Sequence, residues 1–558
     1  MHLSLKNYTM NLFMRLLIIL LFASFSSVGQ KLKKADKVMI TNLQAHISYL
    51  ADDKLEGRRA GTNGEKLARE YISNQFQMAG LEPKGEQGWL QPFEINDGKQ
   101  INASTLLFIN DRELKLNDEY FPFVFCPGSS LEAAVSPALK EKGVPWFNDL
   151  KEVLEENKEN PHFDLTSAIK TIAAKAAEKG ATALFVYNSS GITDDLKFDG
   201  KDNSRPLTIP VVYLTPKASK QYLSDESATL DIRLKTVIGD KKRTGNNVIG
   251  IINNGASNTI VFGAHYDHLG YGEDGNTMLR TGEKQIHNGA DDNASGTAAL
   301  MELARLLKLS KDKNNNYVFI AFSGEELGLF GSKYFTEHPT ISLPTVNYMV
   351  NMDMVGRLSD SSKALTIGGF GTSPAWGSVF TVLSKQKYFT VKYDSSGMGP
   401  SDHTSFYLKN IPVLFFFTGL HSDYHKPSDD ANKINYTGEA LIIKYIESLV
   451  TLTNTKGKLA FQKTREPAIS TAARFNVTLG IMPDYTFSGS GVRVDGISDG
   501  RPAQKAGIQT GDIIVQLGTF DTNSLETYMQ ALSKFNKGDK TTVKYKRGEE
   551  MKEGNVEF

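Results

Sequence analysis

The chain has 558 residues, too many for one ordinary hydrophobic core, so we expect about two to four domains. Its 63 basic and 63 acidic residues balance each other, which excludes the strong overall field typical of proteins that bind nucleic acid or an anionic membrane. With 40% hydrophobic and 10% aromatic residues, the composition is that of a globular protein and excludes a disordered or fibrous one.

An export signal is predicted at residues 1–29. Arg15 supplies a positive charge, residues 16–22 form a short apolar run, and residues 26–29 suit cleavage before Gln30. The apolar run is shorter than the about 20 residues that span a bilayer. We therefore expect a periplasmic or extracellular mature chain with no stable membrane span, and an uncleaved anchor is the alternative.

A helix is predicted over residues 64–79, within a region 30–100 that begins the main domain. Its apolar residues fall mostly at intervals of three and four positions, which places them on one face, and Gly80 ends it.

Residues 101–240 differ from the preceding region in their pattern of residue types, with short apolar runs between long charged stretches. A helix is predicted at 167–179, followed by strands at 183–187 and 209–214. We expect an α/β unit inserted into the main domain. Cys126 is the only cysteine, so no disulfide forms within the chain, and the apolar residues before it favour a buried, unreactive thiol.

The main part of the large domain is predicted at residues 241–455, where strands and helices alternate. Short apolar runs rich in β-branched or aromatic residues predict strands at 247–252, 259–264, 317–322, 346–352 and 413–417. A helix is predicted at 297–309. This alternation is typical of an α/β fold, a mostly parallel sheet with helices on both faces, in which ligands bind beyond the carboxyl ends of the strands.

A polar, turn-rich linker is predicted at residues 456–467, followed by a β-rich domain at 468–558. Strands are predicted there at 475–481, 492–494 and 512–517, around the small-residue stretch Pro502–Ile508.

Histidine and acidic residues follow several of the predicted strands. His265 comes directly after one strand, with Asp267 two positions on as a candidate acceptor for its ring nitrogen. Asp291 and Asp292 lie between glycines just before the helix at 297–309, where one carboxylate could bridge two cations. A helix-capping role for Asp292 or Ser295 is the alternative.

Adjacent Glu325 and Glu326 follow the next strand. One glutamate could bind metal while the other moves a proton, and solvated surface glutamates are the alternative. Asp353 places a carboxylate at the end of a further apolar strand, and His425 supplies a second imidazole from a polar loop. These residue types at successive strand ends indicate a zinc site that holds more than one ion.

The cluster resembles peptidase family M28, whose members are di-zinc aminopeptidases. The segments that carry the resemblance are His265–Asp267, Gly289–Gly296, Glu325–Glu326, Asp353 and Tyr424–Asp429. The resemblance implies a zinc exopeptidase fold with His265 and Asp353 on one zinc, Glu326 and His425 on the other, and Asp292 between them. It also implies Glu325 as general base, Asp267 as hydrogen-bond partner of His265, and Tyr424 as hydrogen-bond donor to the tetrahedral intermediate.

Other residues near the cluster are left without a metal by this complete ligand set. His268 and His287 are expected beside the site or at the surface. The loop Ser401–His403 resembles a substrate-pocket loop of the family, and a structural hydrogen-bond role is the alternative.

Two further resemblances concern the attached regions. The helix-then-strand order at 101–240 resembles the protease-associated (PA) domain inserted in such peptidases, and an unrelated α/β insertion is the alternative. Residues 468–558 resemble a PDZ domain, in which the loop with Leu479, Gly480 and Ile481 would bind a peptide C-terminus. Packing of this region on the peptidase domain is the alternative.

The sequence therefore predicts an exported di-zinc aminopeptidase that acts on peptides. A carboxypeptidase or a glutaminyl cyclase on the same scaffold is the first alternative, and the second is a non-catalytic peptide-binding protein. A carboxypeptidase is disfavoured because Arg357 is the only arginine close to a ligand motif, and Glu325 has no purpose in a non-catalytic protein.

Overall fold

A computed structural model describes residues 34–160, 163–202, 204–279, 281, 283–464, 477–483, 490–497, 500–523 and 525–558. The predicted export signal at 1–29 lies outside these ranges, as do parts of the predicted linker and of the C-terminal region. Across the described ranges, every helix falls short of the length or the apolar character that crossing a membrane demands.

The N-terminal region packs two helices and two strands against the main domain. Its elements are α1 (Lys34–Leu50), α2 (Asn63–Met78), β1 (Glu82–Pro83) and β2 (Leu90–Ile101). The predicted helix at 64–79 is α2, which buries Ala68, Ile72 and Phe76 on one face, as the spacing requires.

Two four-stranded sheets form the region that follows. One hydrophobic core contains residues of both sheets, and a second contains strand residues of only one of them. Its elements are β3 (Leu106–Ile109), β4 (Arg112–Glu113), β5 (Tyr120–Pro122), β6 (Ser129–Val135), β7 (Trp146–Asp149), α3 (Lys151–Asn157), α4 (Leu165–Glu178), β8 (Leu184–Tyr187), β9 (Val211–Leu214), α5 (Pro216–Tyr222) and β10 (Leu230–Thr236). One sheet has the antiparallel order β4-β3-β10-β6 and the other the order β5-β9-β8-β7. The predicted helix and strands are α4, β8 and β9, and Cys126 is buried.

The main domain is built on a nine-stranded sheet. Its further elements are β11 (Ile238–Ile252), β12 (Asn258–His265), α6 (Gly296–Leu309), β13 (Asn315–Phe322), α7 (Phe330–Glu337), β14 (Val346–Met352), β15 (Ala364–Gly368), α8 (Ala375–Leu383), β16 (Thr390–Tyr393), α9 (His403–Tyr407), β17 (Val413–Phe417) and α10 (Tyr436–Thr453). The order is β1-β11-β13-β12-β14-β17-β15-β16, with β2 also paired to β11. The central strands β13, β12, β14 and β17 are parallel, whereas β11 and β15 are antiparallel to them.

Alternate residues of β12 enter two different cores. Ile260 and Phe262 pack with residues of α1, α2, α6, α8 and α10. Val261 packs with Phe335 of α7 and Phe406 of α9. Helices therefore cover both faces of the sheet, which confirms the predicted fold class.

The C-terminal region is β-rich, as predicted, and has a core of its own that includes Val494, Ile514 and Val543. Its elements are β18 (Ile481–Pro483), β19 (Val492–Ile497), α11 (Pro502–Lys505), β20 (Ile513–Leu517), β21 (Phe520–Asp521), α12 (Leu525–Leu532), β22 (Lys540–Arg547) and β23 (Glu550–Glu557). All pairings between these strands are antiparallel.

A cluster of charges around the buried Asp97 joins β2 and β11 to the loop that follows β12. Asp97 lies 3.1 Å from Arg59 and 3.2 Å from Arg243, and its other oxygen is 2.9 Å from Lys241. Burial opposes ionisation of Asp97, but the hydrogen bond from Lys241 and the two arginine charges lower its pKa to about 2. Arg59 also lies 2.7 Å from Asp274, so this cluster fixes the loop that borders the site described next.

Candidate metal centre

The candidate metal ligands and the candidate general base lie together at one edge of the sheet. His265 is the last residue of β12, Glu325 and Glu326 follow β13, and Asp353 follows β14. These strands are parallel neighbours, so their carboxyl ends lie side by side. Asp292 reaches the same place from the glycine-bounded loop before α6.

The ligand atoms form two groups that share one aspartate. His265 Nε2 lies 3.3 Å from Asp353 Oδ1 and 3.4 Å from Asp292 Oδ1. His425 Nε2 lies 3.3 Å from Asp292 Oδ2 and 3.3 Å from Glu326 Oε2. The two oxygens of Asp292 therefore face two different histidines.

These separations fit zinc. In a tetrahedral zinc site, bonds of about 2.0–2.1 Å place neighbouring ligand atoms about 3.3–3.4 Å apart. The four distances between 3.3 and 3.4 Å match that edge and exceed the usual hydrogen-bond length of about 2.9 Å. Imidazole and carboxylate are also ligands that zinc accepts.

In both candidate ligand histidines, the ring nitrogen Nδ1 lies within hydrogen-bonding distance of a main-chain carbonyl oxygen. His425 Nδ1 lies 2.8 Å from the carbonyl oxygen of Asn276. His265 Nδ1 lies 3.2 Å from the carbonyl oxygen of Asp267 and 3.7 Å from its carboxylate. Asp267 thus faces His265 as predicted, although its main-chain oxygen is closer than its carboxylate, which accepts the Glu325 N–H at 3.2 Å.

Glu325 lies beside the ligands without joining either group. Its carboxylate is 3.9 Å from His265 Nε2, beyond the ligand spacing. Burial raises the pKa of Glu325 well above its ordinary value; the charge of His265 opposes this rise, and the charges of Asp353 and Glu326 add to it. A carboxyl group that holds a proton so readily, next to a metal centre, suits a general base.

The loop Ser401–His403 contacts the centre through its serine. Ser401 Oγ donates to Asp353 Oδ2 at 2.8 Å and accepts from Asn351 Nδ2 at 2.8 Å. Asp402 is fully buried, and burial raises its pKa to about 7. His403 stacks on Phe415 with ring centroids 4.6 Å apart. The loop therefore has a hydrogen-bonding role at Asp353.

Two residues of the N-terminal region hold the ligand loops, and nothing in the sequence singled them out. Arg58 is fully buried and donates to the carbonyl oxygens of Tyr266, Gly289, Asn288 and Leu50. No motif separates it from the neighbouring Arg59.

Glu65 is the second of these residues. It accepts hydrogen bonds from Gly61 N, Asn246 N, Tyr266 Oη and Ser323 Oγ at 2.7–3.0 Å. The helical pattern of α2 places Glu65 on that helix but does not reveal its buried partners.

Three other predicted residue sets lie outside these two groups. Tyr424 stacks on His425 with ring centroids 3.9 Å apart, so it borders the site. In the C-terminal region, Leu479 is buried, Ile481 pairs with Ile497, and Gly480 has a φ of 79° with its N–H on Thr478 Oγ1 at 3.0 Å. His268 and His287 are both buried, so neither is a surface residue.

Comparison with known proteins finds a match to a family model in two regions. Residues 247–450 match peptidase family M28. Residues 455–558 match the PDZ domain model. These matches agree with the two resemblances seen in the sequence, whereas the resemblance of residues 101–240 to a PA domain stays a prediction.

Among curated relatives, Aminopeptidase YwaD of Bacillus subtilis is 29% identical over 289 residues, or 49% of this chain and 56% of the relative. The chain thus spans about half the length of that relative. Probable lipoprotein aminopeptidase LpqL of Mycobacterium tuberculosis is 27% identical over 406 residues, or 69% of this chain and 75% of the relative. Among solved structures, the zinc aminopeptidase BSAP from Bacillus subtilis is 21% identical, with coverage of 76% and 96% and a TM-score of 0.42.

Proposed function

We propose that this protein is an exported di-zinc aminopeptidase that removes single residues from the N-terminus of peptides. The observation that carries the proposal is Asp292, whose two oxygens lie 3.4 Å and 3.3 Å from the ring nitrogens of His265 and His425. The M28 match and the aminopeptidase relatives support a metallo-exopeptidase of this kind. In this proposal His265 and Asp353 would hold one zinc, Glu326 and His425 would hold the other, and Asp292 would serve both.

The residues around the centre divide the chemical work. Zinc at this site would supply Lewis acidity toward a water molecule and the scissile carbonyl. Glu325 takes the proton from the attacking water and returns it to the departing amine. Asp267 orients His265 and, through the Glu325 N–H, the base itself. Tyr424 donates a hydrogen bond to the oxyanion of the tetrahedral intermediate.

Among the residues that the structure describes, Arg357 and Arg58 near the site favour an aminopeptidase over a carboxypeptidase, which needs a cation to hold the substrate carboxylate. Arg357 lies 3.1 Å from Asp423 and 3.8 Å from Asp429, so protein carboxylates neutralise its charge. Arg58 is fully buried against main-chain oxygens. Neither guanidinium is available to a substrate.

The attached regions complete the proposal. We assign residues 30–100 and 241–455 to the peptidase domain, 101–240 to an inserted PA-like domain and 468–558 to a PDZ-like domain, with a linker at 456–467. The separate hydrophobic cores of residues 107–234 and 477–556 support this division. Cleavage of the signal at 1–29 would release the chain into the periplasm or the medium.

The deciding experiment is hydrolysis of a panel of aminoacyl chromogenic amides by the zinc-loaded mature chain, with N-acetylated versions alongside. We expect cleavage of the free-amine compounds only, because an aminopeptidase recognises the free amine, and the panel also reports the side-chain preference. Absence of cleavage in both sets, with zinc bound, would refute the proposal and favour the carboxypeptidase, cyclase or binding-protein alternatives.

A further inference from the structure

His268 is a buried histidine beside the centre that the proposed mechanism does not use. It lies three positions after His265, and its Nδ1 is 2.7 Å from Glu326 Oε1. The other oxygen of that carboxylate, Oε2, is 3.3 Å from His425 Nε2. The two oxygens of Glu326 therefore have different partners.

The distance between His268 and Glu326 shows whether the two side chains form a hydrogen bond or have the spacing of two ligands of one zinc ion. Neighbouring ligands on one tetrahedral zinc lie about 3.3–3.4 Å apart, as His425 and Glu326 do. The 2.7 Å between His268 and Glu326 is shorter than that edge and is the length of a charge-assisted hydrogen bond. His268 Nδ1 also lies 4.0 Å from Asp292 Oδ1, beyond the edge.

We propose that His268 is a positioning residue, which donates a hydrogen bond to Glu326 Oε1 and so leaves only Oε2 free to bind the second zinc. This inference rests on the proposed two-zinc function. A carboxylate bound through one oxygen fills one coordination position, whereas a carboxylate bound through both would occupy the position that an open catalytic zinc site keeps for water or substrate.

The loop that carries Asp292 packs against the ring of His268 at Gly289. Gly289 in that loop has a φ of 55°, and a Cβ built there would lie 2.4 Å from Cδ2 and 2.6 Å from Cγ of His268. The main-chain N–H of His268 donates to the Arg58 carbonyl at 3.3 Å. Glycine at 289 therefore allows the ring to approach the loop closely while its Nδ1 lies 2.7 Å from Glu326 Oε1.

The first zinc position has the same arrangement with a different donor. Asp353 Oδ1 lies 3.3 Å from His265 Nε2, while Asp353 Oδ2 accepts the Ser401 hydroxyl at 2.8 Å. Asp353 and Glu326 thus have the same pattern. One oxygen of each carboxylate lies beside a candidate ligand histidine, and the other accepts a hydrogen bond from a neighbouring side chain. His268 is the donor on the second side.

The test is zinc binding by the full mature chain, stripped of metal and titrated with zinc against a chelator of known affinity. Loss of a hydrogen-bond partner behind a ligand costs about 10- to 100-fold in metal affinity. We expect His268→Ala to weaken one of the two zinc sites by that factor and to leave the other within about threefold.

His268→Asn is the matched variant that distinguishes positioning from ligation. The carboxamide of asparagine can place an N–H near the position of Nδ1, but its nitrogen is not a zinc ligand. We expect His268→Asn to restore most of the lost affinity. His46→Ala is the control, since it removes another buried imidazole, one that bonds to Tyr71.

Three results would overturn the inference: unchanged zinc affinity in His268→Ala, equal losses in the alanine and asparagine variants, and equal weakening of both sites that His46→Ala reproduces. The second would make His268 a ligand, and the third would mean a general loss of structure. A wild-type chain that binds fewer than two zinc ions would instead defeat the proposed two-zinc function, and this inference with it.

Discussion

Glu325 and Glu326 are adjacent and carry the same functional group, yet their surroundings set them apart. For Glu326, burial opposes ionisation, but the charge of His425 and the hydrogen bond from His268 lower the pKa below its ordinary value. For Glu325, burial and the charges of Asp353 and Glu326 raise the pKa. Glu326, with its lowered pKa, is suited to bind a cation, and Glu325, with its raised pKa, is suited to exchange a proton.

Glu325→Gln tests this division of roles. The amide keeps the shape of the side chain but cannot accept the proton, so we expect zinc content to remain and turnover to fall by at least about 100-fold. Turnover and zinc are measured on the same preparation. Glu326→Gln is the contrasting variant, because it removes a proposed ligand and should lose zinc from one site. Near-normal turnover of Glu325→Gln would end its assignment as the base.

Glu439 on α10 gives a prediction about pH. It is fully buried, and burial, with the nearby charges of Asp291 and Glu302, raises its pKa well above the ordinary value. Its contribution to stability is therefore fully present below the unfolded pKa of about 4.3 and is lost as pH rises through the folded pKa. We expect Glu439→Gln to raise the Tm at pH 8, with a gain that shrinks toward pH 4.

Calorimetry over that range provides the measurement, and Glu70→Gln is its control, because Glu70 is an exposed residue of α2. A Tm difference that stays constant from pH 4 to pH 8 would contradict the burial argument for Glu439.

Helix α2 is tied to the site through one buried carboxylate. Glu65 accepts hydrogen bonds from the main chain at Asn246 and from the side chains of Tyr266 and Ser323. Tyr266 directly follows the candidate ligand His265, and Ser323 precedes Glu325 by two positions. One residue of the N-terminal region therefore holds the ends of β12 and β13 and the middle of β11.

Glu65→Gln should destabilise the protein, because the amide group must point one donor at another donor in a buried place. We expect a loss of about 1–3 kcal/mol in the free energy of unfolding, measured with urea. Glu70→Gln on the same helix changes only an exposed pair with Lys66 and should cost less than about 0.5 kcal/mol. Equal effects of the two variants would show that the buried hydrogen bonds of Glu65 are unimportant.

The sequence predicted the buried parallel strands better than the long antiparallel pair β2 and β11. Strands β12, β14 and β17 were predicted to within one residue at each end and β13 to within two, because buried parallel strands are continuous apolar runs. The strand predicted at 247–252 is only the end of β11, which begins at Ile238 with charged residues. Its partner β2 was missed, since Pro92 and Gly98 interrupt it. These two strands are held by their mutual pairing, which no local pattern records.

The site shows the same limit. The clustering of the candidate ligand residues could be predicted, because histidine and acidic residues at strand ends are recognisable from type and spacing. Their binding of metal stays a prediction. Arg58, Glu65 and the bond from His268 to Glu326 could not, because each depends on contact with residues distant in the chain. The chain positions of such supporting residues carry no pattern until the fold brings them together.

At the scale of the whole molecule, the C-terminal region raises the question of what it binds. Residues 455–558 match the PDZ domain model, and such domains hold a peptide carboxylate in a glycine-containing loop. In the predicted loop, the Gly480 N–H already donates to Thr478 Oγ1. A carboxylate would therefore have to displace that bond or use the neighbouring N–H groups.

Removing residues 465–558 tests whether this region recognises substrate tails. If it does, the full chain should hydrolyse long peptides with a free C-terminus at a lower KM than the same peptides with an amidated C-terminus. The truncated chain should lose that difference while keeping its rate on dipeptide amides, which are too short to reach a second site. Equal KM values for both peptide forms in the full chain would exclude tail recognition and leave packing on the peptidase domain as the role of this region.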